Sequence, residues 1–387
     1  MDLSLTNNFH EKIELDKVIT HDNKVYYPLG GASYLFNDNF ISYLLNNIKK
    51  ENLIISIGAQ PNSSPHLGTI ITFMTAFSLA SKIKNFSKQI NVEILFEIVD
   101  SAPSEILKIK DIVYQINLRN NSISSSILKK YIELLNFLEK ISGITYKIRN
   151  QEEFNKQKEI LELVKLFIKN RDSLNRVFGS SDKFVIRVSC PQCGLTDKKG
   201  VNNKYFNNSI ECLCPTHGKF KINIKKQSRL LEYNTPLRNL IRALLYHKKN
   251  KDTSIEYEIL RVTGSDYAGY YQEQALYRTA SLLGNVYAHE LPIIVYSPLI
   301  LDWSGAKLSK SLSIKQNAYG YLPSYLVDYD YLKESFDKKG LDIIYEEVSS
   351  WIDNPHKLFR HYSVYYFMNL FKKKEEYLQL NSESKSD

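Results

Sequence analysis

Three stretches of the 387-residue chain combine residue types and spacings that can do chemistry. In the first, Pro61-Asn62-Ser63-Ser64-Pro65-His66-Leu67-Gly68-Thr69, a histidine and a glycine stand where the apolar run Leu53-Ile54-Ile55-Ser56-Ile57-Gly58 hands over to a helical pattern. A helix N-terminus presents unpaired N–H groups and a positive dipole end, so Pro65, Gly68 and Thr69 would border an anion site that a nucleotide can approach closely at Gly68. His66 could then donate to a phosphate as negative charge develops on it. The same residues would also serve simply to start a helix.

The second stretch, Lys307-Leu308-Ser309-Lys310-Ser311, follows Asp302-Trp303-Ser304-Gly305-Ala306. Two lysines three apart, interleaved with Ser309 and Ser311, make a mobile loop able to clamp a triphosphate and neutralise departing pyrophosphate. A merely solvated charged loop would have the same composition. The third stretch holds all four cysteines. Cys190-Pro191-Gln192-Cys193-Gly194 and Cys214-Pro215-Thr216-His217-Gly218 write one ligand-Pro-x-ligand-Gly knuckle twice, and such paired turns aim four ligands at one structural zinc ion. The symmetry favours Cys190, Cys193, Cys214 and His217, with Cys212 as the alternative to His217.

These residues need a frame to hold them. Apolar runs at 53–58, 90–99, 256–262 and 293–301 read as strands, and helical periodicity fills 66–84, much of 122–170, 235–247, a stretch from Ser265 to about 283, and the chain beyond Asp328. Strands alternating with helices predict an α/β fold: a Rossmann-type parallel-sheet, nucleotide-binding catalytic domain with a zinc-ribbon-bearing insertion and a short helical C-terminal region. The expected organisation is a lead-in at 1–51, the first half of the catalytic domain at 52–122, a connective insertion at 123–234 with its zinc-binding module at 184–226, the second half at 235–327, and a helical region with a flexible tail at 328–387. Glu97, Asp100 and Glu105 follow the second strand toward its C-terminal end, where parallel sheets bind ligands, and could recognise a substrate ammonium or be plain surface carboxylates. Tyr270 and Gln274, just past Gly264-Ser265-Asp266-Tyr267, either face the substrate or pack.

Composition excludes whole classes of function. With 43% hydrophobic residues, 24% charged and 11 prolines, the chain is neither disordered nor collagen-like, and cysteines confined to one window are no disulfide scaffold. A formal charge of +9 favours a polyanionic partner without establishing one. No uncharged apolar stretch approaches the ~18–20 residues that cross a bilayer, and the first residues lack the apolar run of a signal peptide. A cytoplasmic protein with no membrane partner is expected.

Taken together, His66-Leu67-Gly68-Thr69 and Lys307–Ser311 resemble the HIGH and KMSKS motifs of the class I aminoacyl-tRNA synthetases, in order, with Thr69 and Leu308 departing from the usual residues. The resemblance implies ATP with Mg²⁺, an aminoacyl-adenylate, and a tRNA acceptor end. It implies that Gly264 and Asp266 hold the adenosine ribose. Within the class the chain is most similar to the class I lysyl-tRNA synthetases, through the Pro61–His66 loop, Tyr233-Asn234-Thr235-Pro236-Leu237-Arg238, the 264–267 segment and the cysteine-bearing insertion. That ranks lysine, or another amino acid with a basic or polar side chain, first as substrate. Only 76 residues follow Ser311, so the large C-terminal anticodon-binding region is expected to be shortened or missing. Three readings follow: a compact tRNA ligase, an adenylating paralogue with a non-tRNA acceptor, or a non-catalytic tRNA-binding relative, the last disfavoured by the intact lysines. Lys219, Lys221 and Lys225, alternating with Phe220, Ile222 and Ile224, form either a solvated ribbon or an acceptor-end contact. The Lys248–Lys251 run offers further positive charge for such a contact.

Overall fold

Four largely apolar strands and one short, half-exposed edge strand build a five-stranded parallel sheet from β1 (Asn52–Ala59), β2 (Asn91–Ile98), β3 (Tyr146–Arg149, the edge strand), β4 (Tyr257–Gly264) and β5 (Ile294–Ser297), in the order β3-β2-β1-β4-β5. The structure is a computed structural model and describes residues 40–120, 124–177, 183–309 and 319–383. Side chains alternate across the pleat, and here both faces are apolar. Leu53, Ile55, Ile57, Phe96, Val262 and Val295 enter one core, whereas Ile54, Ile259, Ile294 and Tyr296 face another. A one-residue slip of β1 would put Ser56 and Gly58 where aliphatic chains of the Leu53, Ile55 and Ile57 set now pack, and with each buried aliphatic chain worth about 1.5–3 kcal/mol the register is firmly set.

The covering helices are α1 (Leu67–Phe86), α2 (Ser124–Ser142), α3 (Lys158–Asn175), α4 (Thr235–Lys251), α5 (Tyr329–Asp353) and α6 (Val364–Glu383). Phe73 of α1, Tyr131 of α2, Trp351 of α5 and Phe367 of α6 close the first core; Phe167 of α3 and Tyr246 of α4 belong to the second. In α1, 12 of 20 residues are buried, because this helix lies between the sheet and α5. No described helix is long and apolar enough to cross a membrane. The fold is thus the expected α/β, Rossmann-type parallel sheet, with the strand order reversing direction on either side of β1.

Several elements differ from the sequence reading. From the stretch expected as the insertion, β3 joins the parallel sheet and α2 packs into the first core. Directly after β2, an antiparallel hairpin (Pro103–Ile109 and Ile112–Asn117) turns on Lys110 and Asp111, both at positive φ. Its second strand pairs with Thr196–Asp197 of the cysteine module. The stretch after β4 is no continuous helix. A 3₁₀ turn at Ser265–Tyr267 precedes Gly269 at φ 63°, a short turn at Tyr270–Gln272, a π-helix at Glu273–Arg278 and a last α-helical stretch at Thr279–Gly284. The strand expected at 293–301 divides at Pro298 into β5 and Ile300–Leu301.

Candidate nucleotide site and metal centre

In an open parallel sheet, ligands bind at the carboxyl ends of the strands where the strand order reverses. Here that point lies between β1 and β4, and a cleft of about 1130 Å³ opens there. Gly58 and Ala59 at the end of β1, His66, Gly68 and Thr69 at the start of α1, and Gly264, Asp266 and Tyr267 after β4 all line it. Lys307, Leu308 and Ser309 face them from the far side, and Pro103, Ser104 and Ile106 of the hairpin supply a further wall. Pro65 is buried beside His66. Lys310 and Ser311 lie outside the described residues. Tyr270 is half exposed and, with Gln274, stands away from the cleft lining.

His66 is the N-cap of α1, and its Nδ1 accepts the Gly68 N–H at 3.0 Å. An imidazole nitrogen that accepts carries no proton, so in the neutral ring the proton sits on Nε2, the donor form required for a developing phosphate charge. Gly68 makes this possible: a Cβ there would lie 2.9 Å from His66 Cε1. Gly264 plays the same part for Asp266, whose Oδ1 would stand 2.6 Å from an added Cβ. Thr72 Oγ1, bonded to the Gly68 carbonyl and to Ser297 Oγ at 2.9 Å, ties the first turn of α1 to the end of β5.

The lysine loop is delivered by a tight turn. The Asp302 carboxylate accepts from the Ser304 N–H (2.8 Å) and hydroxyl (2.6 Å), and the Leu308 N–H donates to the Ile300 carbonyl at 2.8 Å. Leu308 is buried in the first core, which explains why an apolar residue stands between the lysine and the serine. Lys307 Nζ forms an ion pair with the Asp266 carboxylate across the cleft. These two residues, 41 apart in sequence, therefore occupy one site.

Behind Gly58 lies a buried ionic cluster. Glu97 pairs with Arg149 and Arg242, and Tyr246 OH bonds Ser56 Oγ at 2.8 Å. Burial pushes the Glu97 carboxyl up, but the charges of Arg242 and Arg149 outweigh it and hold the pKa below its ordinary value. With both oxygens committed to guanidinium groups, Glu97 is not placed to receive a substrate ammonium. Arg238 and Arg261 adjoin the cluster; Arg238, 6% exposed, is lowered to about 10 by burial and by the neighbouring charge of Arg242. Asp100 is raised to about 6, mainly by burial, and lies beside Arg119 and Glu232 rather than in the cleft lining.

The ligand atoms of Cys190, Cys193, Cys214 and His217 all lie within 4.8 Å of one another. Cys190 Sγ to His217 Nδ1 is 3.7 Å, Cys193 Sγ to Cys214 Sγ 3.6 Å, and Cys214 Sγ to His217 Nδ1 3.6 Å. A tetrahedron with metal–sulfur bonds of ~2.3 Å has edges of roughly 3.7 Å, so the set fits a metal ion. Cys212 is elsewhere, packed in the second core, and burial drives its thiol up to about 12. It is therefore His217, and not Cys212, whose ligand atom stands with those of Cys190, Cys193 and Cys214. Burial opposes ionisation of Cys214, yet N–H groups of His217 and Thr216 bring it down to about 7.

The chain matches no protein-family model and no curated protein. Among solved structures it is similar to Mycobacterium tuberculosis methionyl-tRNA synthetase in complex with methionyl-adenylate, at 11% identity and a TM-score of 0.40 over 83% of this chain and 68% of that chain. It is also similar to the glutamate-tRNA synthetase from Elizabethkingia anophelis, at 13% identity and a TM-score of 0.39 over 85% of this chain and 71% of that chain.

Proposed function

We propose that this protein is an ATP-dependent ligase of the class I aminoacyl-tRNA synthetase type, which activates an amino acid as its adenylate and passes the aminoacyl group to a tRNA acceptor end in the cytoplasm. The observation that carries the reading is the convergence of His66, Gly68, Asp266 and Lys307 on one crevice at the point where the strand order reverses. A carboxylate oxygen of the amino acid attacks the α-phosphorus of ATP, the bond to the bridging oxygen breaks, and pyrophosphate leaves. His66 and Lys307, with Lys310 from the same loop, stabilise the charge moving onto the phosphates, while Gly264 and Asp266 hold the ribose. Mg²⁺ accompanies ATP and offsets part of its charge. Thr69 and Ser309 border the triphosphate, and Ser311 is assigned to ATP binding by its place in the lysine motif. The Cys3His set is assigned to a structural zinc, because its four ligands complete a tetrahedron and leave no position open for substrate.

Lysine, or another amino acid with a basic or polar side chain, ranks first as the substrate from the sequence. ATP–pyrophosphate exchange, run with each amino acid in turn and with and without total tRNA, tests all of this. Exchange with one amino acid and charging of tRNA is the expected result. Exchange without any tRNA charging would reassign the acceptor to another molecule, and no exchange under any condition would remove the enzymatic reading.

A further inference from the structure

The cleft and the metal cluster share an element that neither site explains alone. The hairpin 103–117 gives Pro103, Ser104 and Ile106 to the cleft wall, and its other strand is bonded to the first cysteine knuckle. Tyr114 pairs with Asp197, Gln115 with Thr196, and the Lys198 N–H donates to the Val113 carbonyl at 2.9 Å. The knuckle itself is closed by the Gly194 N–H on the Cys190 carbonyl (2.8 Å) and the Cys190 N–H on the Leu195 carbonyl (2.9 Å). A continuous hydrogen-bonded path therefore runs from Cys190 and Cys193 to the wall of the cleft.

Side chains lock that path from a third direction. Glu232, fully buried on the strand Leu231–Tyr233, accepts from the Ser189 hydroxyl at 2.5 Å, from Arg119 Nη2 at 2.9 Å and from the Asn117 side-chain amide. Asn117, the last residue of the hairpin, also donates to Ser189 Oγ at 3.0 Å, and Thr196 Oγ1 donates to the same oxygen at 3.1 Å. Ser189 directly precedes the ligand Cys190. A buried carboxylate is tolerated only where its oxygens are met by donors, so each of these groups is held in place by the others. None of the reaction steps uses Glu232, and it does not line the cleft.

We propose that Glu232 and Asn117 are positioning residues that fasten the hairpin wall of the cleft to the metal-bound knuckle, so that metal occupancy sets the geometry of ATP binding. The part of this concerning ATP rests on the proposed activity; the mechanical coupling does not. Hydrogen exchange on the full chain tests it. Removing the metal from wild-type protein with a chelator should make the amides of 103–117 exchange roughly tenfold faster while those of β1 and α1 stay protected, as a local opening requires. Glu232→Gln should reproduce the hairpin acceleration with one metal still bound, and should raise KM for ATP several-fold in pyrophosphate exchange while kcat changes less than KM does. Asn117→Ala provides the same comparison if Glu232→Gln fails to fold. Unchanged protection of 103–117 after metal removal would overturn the proposal. Coupled acceleration in a protein that activates no amino acid would keep the proposal and discard only the activity.

Discussion

Two of the cleft residues are glycines whose value lies in what they leave empty. A Cβ at Gly68 would displace the imidazole that caps α1, and one at Gly264 would displace the Asp266 carboxylate. Gly68→Ala should therefore cost activity on the scale of His66→Ala while thermal stability changes little, because alanine is the better helix former near the N-terminus. Exchange kinetics beside a melting curve would check it, and a fully active Gly68→Ala protein would show that His66 is not held by this contact during catalysis. Lys307→Ala should slow adenylate formation by roughly 10²-fold with amino-acid affinity nearly unchanged, since the charge acts on the developing pyrophosphate. The Asp266–Lys307 pair adds a detail that sequence alone could not hold: the two side chains proposed to meet ribose and phosphate are ion-paired with each other across the cleft.

At the scale of elements, legibility follows how local the signal is. β1, its loop and α1 can be read because an apolar run, a cap and a helical period are all written within 40 residues, and the two knuckles because each is five residues long. The hairpin 103–117 escapes such a reading because its turn uses Lys110 and Asp111 at positive φ in place of the Asn-Gly or Gly pair that announces such a turn. Glu97 misleads for a different reason. Its strand-end position suggests substrate, whereas its partners Arg149 and Arg242 come from distant segments that only the fold unites. The metal module yields the prediction at this scale. Elemental analysis should find one zinc per chain, lost in Cys190→Ser and Cys214→Ser and retained in Cys212→Ser, since Cys212 packs in the core away from the cluster. Loss of zinc from Cys212→Ser with His217→Ala unaffected would reverse the ligand assignment.

Over the whole molecule, the net charge of +9 matters only where it is unspent. The Lys248–Lys251 run, expected to meet phosphates, is largely engaged: Lys248 pairs with Glu162, Lys251 with Glu290, and Lys249 reaches Tyr257 OH at 3.3 Å. The ribbon of the metal module differs. Along Gly218–Asn223 and its continuation, Ile222 and Ile224 are buried while Lys219, Lys221 and Lys225 are exposed, and among the described residues none of the three lysines has a carboxylate within ion-pair distance. If RNA is the acceptor, these lysines are the natural phosphate partners, and removing any one of them should lower the slope of log affinity against log salt by about 0.7–0.9. A Lys219/Lys221/Lys225 triple-alanine variant should thus bind with a slope smaller by on the order of 2–3, and should charge an acceptor-stem minihelix more slowly at fixed salt. Its pyrophosphate exchange without RNA should be unaltered, because the ribbon residues take no part in lining the cleft. An unchanged salt slope together with unchanged charging would assign the ribbon to solvent and place any RNA contact on another face; an undiminished exchange rate with charging abolished on minihelix and intact tRNA alike would place the ribbon at the acceptor end, downstream of the chemistry proposed for the cleft.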